Sequence, residues 1–85
     1  MIENYLDKDG KIFVLPRKKG ARVEVYQYLA SKFDYNKFYT EKEVNAIIAE
    51  NHSFGDICLL RRELVEYKFL NRRDNGTYYE RAIIE

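Results

Sequence analysis

The sequence has no tryptophan, one cysteine, one histidine, one proline and four glycines among its 85 residues. Each shortage excludes something. A lone thiol, Cys58, cannot close a disulfide within the chain. Cys58 and His52 together fall short of the four-ligand set of a structural zinc site. Metal and cofactor binding are therefore not expected. With so little proline and glycine there is no room for a long disordered linker, and neither a repeat nor a low-complexity segment is present. No apolar run approaches the roughly 20 residues that cross a bilayer. The opening MIENYLDKDG has an acid at its third position and no apolar stretch, so it is not a signal peptide. A soluble, cytoplasmic protein without a membrane partner is the expectation.

What is present suits one small domain spanning residues 1–85. Apolar residues make up 46% of the chain and aromatics 15%, with eight Tyr and five Phe, so tyrosine and phenylalanine must supply much of the core. The net charge is +1, and its distribution says more than its sum. Residues 17–32 hold Arg17, Lys18, Lys19, Arg22 and Lys32 against Glu24 alone, whereas the last thirty residues balance six cations with six acids.

Along the chain, Asp7-Lys8-Asp9-Gly10 is turn chemistry. A calcium loop fails on spacing: with Gly10 at the sixth position, the first and twelfth ligands would be Tyr5 and Pro16. Lys11–Leu15 reads as a short strand ended by Pro16. From about Gly20 to Phe33, the residues Val23, Tyr26, Leu29, Ala30 and Phe33 recur at helical spacing. Val25 and Tyr28 lie off that stripe and are expected to meet the N-terminal segment. Thr40 and Glu43 form a capping box with Tyr39 and Val44 as a staple, and the helix so started buries Val44, Ile47 and Ile48. Ser53 is expected to cap a third helix with Asp56 at its N3 position. His52, with no thiol or second histidine beside it, reads as a solvated or capping residue.

The stretch Asp56–Glu80 then gives an amphipathic helix, a tight exit and a hairpin turning at Asp74-Asn75-Gly76. Leu70 and one of Tyr78 or Tyr79 should face inward. Two helices followed by a helix that feeds a hairpin describe an α+β, winged helix-turn-helix domain: three helices, a C-terminal wing and a short N-terminal strand. At 100° per residue, Ile57, Leu60, Leu64 and Tyr67 face the core of this fold, and Cys58, Arg62 and Val65 face away, flanked by Leu59, Glu66 and Arg61. Cys58 and Leu59 are poor base readers for a groove-bound helix. Cover of that face by the N-terminal segment, through Tyr5, Leu6, Phe13 or Leu15, or by a partner, is expected.

Several of these residues also carry a resemblance. His52-x-x-x-Asp56, Leu60-Arg61-Arg62-Glu63-Leu64-Val65, Phe69-Leu70-x-Arg72 and Asp74-x-Gly76-x-x-Tyr79 are similar to a family of small bacterial domains of unknown function, winged-helix-like and often found C-terminal to ArsR-type repressor domains. Leu15-Pro16 and Tyr39–Asn45 extend the likeness to nearly the whole chain. The resemblance implies a regulator-like fold and supplies no active site. Where the family has glycine at the exit of the third helix, this chain has Lys68. A left-handed exit there costs lysine about 1 kcal/mol relative to glycine. The repressor domain that often precedes such domains is not expected here, and transcriptional control is not expected to come from a neighbour.

Two functional expectations follow, neither enzymatic, because no nucleophile–base pair can be argued from spacing. In the first, the domain is a transcriptional-regulator-like module that binds double-stranded DNA mainly at phosphates, through Arg17, Lys18, Lys19, Arg62, Arg72 and Arg73, with Arg81 near the same wing. In the second it is a protein-interaction module, a homodimer or a partner-docking domain, using Cys58, Leu59 and Val65.

Overall fold

In the computed structural model, which describes residues 2–53, 55–73, 75 and 77–83, a 3₁₀ turn (Ile2–Tyr5) leads into the ordered elements. These are helix α1 (Lys19–Ala30), strand β1 (Phe38–Thr40), helix α2 (Glu41–Asn51), helix α3 (Ile57–Glu66), and strands β2 (Leu70–Arg73) and β3 (Tyr78–Arg81). The strands form one antiparallel sheet in the order β1-β3-β2. Three helices with a strand before α2 and a hairpin after α3 are the α+β arrangement of a winged helix.

The capping box is present in both directions. The Glu43 N–H donates to the Thr40 hydroxyl over 3.1 Å, and the Thr40 N–H donates to the Glu43 carboxylate over 2.9 Å. The Thr40 backbone N–H, helped by its hydroxyl and by Lys37, holds the exposed Glu43 carboxyl below the ordinary carboxylate range. Tyr39 and Val44 are buried as the staple requires. Tyr39 also belongs to β1, a strand that the sequence pattern does not predict. It pairs with Tyr79, so the three-residue strand ties the start of α2 to the wing.

The α3 end is a Schellman motif. The Phe69 N–H donates to the Leu64 carbonyl over 2.9 Å and the Lys68 N–H to the Val65 carbonyl over 3.1 Å. Lys68 has φ 68°, the left-handed value foreseen for this exit. Leu64 and Phe69, both buried, supply the apolar contact that accompanies such a cap.

Three expectations need correction. Lys11–Leu15 is not a regular strand: only Ile12 forms bridges, antiparallel to Leu6 and parallel to His52. Its N–H donates to the Asn51 carbonyl (2.8 Å) and its carbonyl accepts from the Ser53 N–H (2.9 Å), so its partner is the end of a helix, along which a ladder cannot propagate. Secondly, Asp56 itself caps α3, accepting the Leu59 N–H over 3.2 Å. Ser53 is held instead against Ile12, and Gly55 at φ 92° separates it from the helix. Thirdly, of the two readings of His52, solvated or capping, only the second holds: it is buried at the C-cap of α2, and its Nδ1–H donates to the Ile48 carbonyl over 2.6 Å. The hairpin residues Asp74 and Gly76, and Phe54 of the preceding turn, lie outside the described residues. Asn75 between the first two has φ 56°.

The core runs from Ile12 through Val25, Tyr26, Leu29 and Phe33 to Val44, Ile48, Leu60, Leu64, Leu70 and Tyr79. The Asp7–Gly10 stretch is the expected turn. The Asp7 carboxylate accepts the N–H groups of Asp9 and Lys11, each over 2.9 Å, and Gly10 has φ 78°. Tyr28, off the main stripe of α1, donates its hydroxyl to the Gly10 carbonyl over 2.6 Å. The N-terminal segment is thereby fastened to α1, as the off-stripe position of Tyr28 implied.

Candidate nucleic-acid interface

Alternation along β2 divides the wing arginines. Leu70 and Arg72 lie opposite Arg81 and Tyr79, on the sheet face that carries the buried Tyr39 and Tyr79. Asn71 and Arg73 lie on the other face, opposite Glu80 and Tyr78. Arg73 is engaged there, its Nε–H donating to Glu80 over 2.7 Å and its terminal NH2 reaching the same oxygen. Arg81 is also occupied: it donates to the Phe33 carbonyl over 3.2 Å and lies 4.0 Å from the Tyr35 ring centroid. Among the described residues of the wing, Arg72 is therefore left as the unengaged arginine.

Arg72 faces a cleft of about 370 Å³ between α3 and the wing, lined also by Arg61, Arg62, Val65 and Glu66 of α3, Tyr79 of β3 and Glu41 of α2. Arg61 is tied to α2. It donates to the Asn45 side-chain oxygen over 2.5 Å and lies 3.7 Å from Glu41. Glu63 serves α1, accepting the buried Tyr26 hydroxyl and lying 3.6 Å from Arg22. Arg62 and Arg72 are exposed and make no ion pair with a described residue. Two of the expected phosphate contacts thus meet at one cleft, from different elements.

The third group of candidates sits at the start of α1. Arg17, Lys18 and Lys19 are exposed. Lys18 is the N-cap in extended conformation without a side-chain cap, so its cation adds to the positive end of the helix dipole without neutralising it. Arg22, one turn on, is turned inward by the Pro16 carbonyl (3.1 Å) and Glu63.

Among the described residues, the N-terminal segment does not supply the expected cover for the outward face of α3. The 3₁₀ turn packs on α1, and Ile12 reaches the end of α2. Cys58 is exposed; Leu59 and Val65 are half-buried, and Val65 packs against the core and edges the cleft. Phe13 is exposed, while Tyr5, Leu6 and Leu15 pack against the core. One feature of the sheet was not anticipated. Phe38 and Tyr78 form a ring pair at 5.0 Å on its outer face, with Phe38 61% exposed.

Among the described residues no group of three His, Cys, Asp or Glu is placed to hold a metal ion, and no helix is long and apolar enough to cross a membrane. One family model, described as "Uncharacterized protein conserved in bacteria (DUF2087)", matches residues 11–81. Comparison with curated proteins and with solved structures finds no match.

Proposed function

The chain belongs to the DUF2087 family of uncharacterised bacterial proteins, and we propose that it is a regulator-like winged-helix module that binds nucleic acid mainly at phosphates. The observation that carries this reading is the meeting of Arg62 and Arg72, neither ion-paired to a described residue, at the cleft between α3 and the wing. Arg17, Lys18 and Lys19 add exposed cations at the start of α1. The likeness to domains that follow ArsR-type repressors supports a regulatory setting. Arg73, bound to Glu80, is the weakest of the candidate contacts.

Fluorescence anisotropy with a labelled duplex tests the reading. Binding at low salt that weakens linearly on a log–log salt plot is expected. No detectable binding at low salt would sink it. A second reading, docking of a twin subunit or regulator on Cys58, Leu59 and Val65, is favoured by the exposure of Cys58. Light scattering that reports a monomer at high protein concentration removes its homodimer version.

A further inference from the structure

We propose that the cleft between α3 and the wing is a seat for one phosphate group, which Arg62 and Arg72 hold jointly. The inference rests on the nucleic-acid reading for the source of that phosphate, and extends it by assigning the ligand group to a defined place. The first ground is the way the arginines are distributed. Arg22, Arg61, Arg73 and Arg81 are each engaged by a carboxylate, a side-chain amide, a carbonyl or an aromatic ring. Arg62 and Arg72 are left without an ion pair to a described residue, and both line the same concavity.

Two cations converging on one cleft repel each other, and the repulsion is stronger beside low-dielectric walls than in open water. Val65 and the buried Tyr79 form such walls here. An anion placed between the two guanidinium groups turns this repulsion into two charge-assisted contacts. Phosphate is the natural partner for the planar donor fork of arginine. Arg61 does not compete for the ligand, since Asn45 and Glu41 hold it to α2. Both arginines stand on regular backbone. Arg62 stands on a capped helix and Arg72 on a strand paired through Tyr79, so the ordering required on binding is that of the two side chains and not of the backbone. Glu66 and Glu41, both exposed carboxylates on the same cleft, oppose an anion and limit its affinity.

The deciding experiment titrates the protein with inorganic phosphate at constant ionic strength, replacing chloride, and follows the arginine Nε–H resonances by NMR. Arg62 and Arg72 should shift together on one saturating curve, and those of Arg17 and Arg73 should not. Arg62→Gln should abolish the shift at Arg72, and Arg72→Gln the shift at Arg62, while E66Q should tighten binding several-fold. Both arginines are exposed, so neither variant disturbs the core. The absence of a saturable, coupled shift overturns the seat.

A duplex titration separates this from the broader reading. A shared phosphate predicts that each single variant lowers the log–log salt slope by about 0.9 and that the double variant lowers it no further. A double-variant loss of about 1.8 means two separate phosphates and overturns joint holding. Coupled phosphate binding without any duplex binding supports the seat for a small phosphorylated ligand and defeats the nucleic-acid reading. Duplex binding indifferent to both arginines overturns the seat and leaves that reading standing.

Discussion

Lys68 adopts φ 68° because the Schellman exit from α3 places its residue after the cap in the left-handed region. A side chain with a Cβ loses about 1–2 kcal/mol in this region, while glycine loses roughly 0.5–1 kcal/mol more than other residues in chain entropy on folding. Lys68→Gly should therefore stabilise the domain by about 1 kcal/mol, raising the melting temperature by roughly 4–8 °C for a chain of this size. Lys68→Ala keeps the Cβ and should give no such gain, and thermal unfolding followed by circular dichroism compares the two. Glu43 allows a second test at this scale. Its folded carboxyl titrates below the ordinary range, chiefly because the Thr40 N–H bonds to it. The folded state thus favours the charged form. The contribution is complete above the unfolded glutamate value and is lost as pH falls through the lower, folded value. Glu43→Gln should flatten the loss of stability on acidification over that window, as urea titrations at a series of pH values would show.

At the scale of elements, the helix–hairpin succession could be read from Asp56–Glu80, because amphipathic spacing, turn residues and strand alternation all act within a few positions. The Thr40–Glu43 box is local in the same way and was equally legible. What could not be read depends on partners distant in sequence. β1 is only three residues long and exists because Tyr39 finds Tyr79; Arg61 finds Asn45 and Glu41; Ile12 finds the end of α2, not a strand. The division between Arg72 and Arg73 was legible in principle, since neighbours in a strand must face opposite ways. It yields a direct comparison. Arg73→Gln removes an exposed cross-strand ion pair and should cost less than about 1 kcal/mol of stability, with little change in duplex binding. Arg72→Gln should leave stability unchanged and weaken duplex binding across unrelated sequences. Anisotropy and urea unfolding on both variants test the division, and equal binding losses would contradict it.

Across the whole molecule the proposed contacts are sparse, and this sets both the affinity and the selectivity. The chain is nearly neutral, and its candidate phosphate contacts reduce to Arg17, Lys18, Lys19 and the pair Arg62–Arg72. With about four phosphates neutralised, the log–log salt slope should be about −3 to −4, and affinity should fall roughly a hundredfold between 50 and 200 mM salt. Selectivity requires polar side chains at the exposed early positions of the groove-facing helix. The first turn of α3 presents the exposed Cys58 and half-buried Leu59 there, and Arg61, the next polar donor, is fastened to α2. If Arg62 is engaged with phosphate, no bidentate base contact of the kind worth about 1–3 kcal/mol is left. Unrelated duplexes should then bind within about tenfold of one another, since 1.4 kcal/mol corresponds to that factor. Competition titrations with duplexes of differing sequence measure this ratio. Discrimination beyond about a hundredfold would require at least one bidentate base contact at the top of the 1–3 kcal/mol range. It would place Arg62 on a base edge and return α3 to the role of a reading helix.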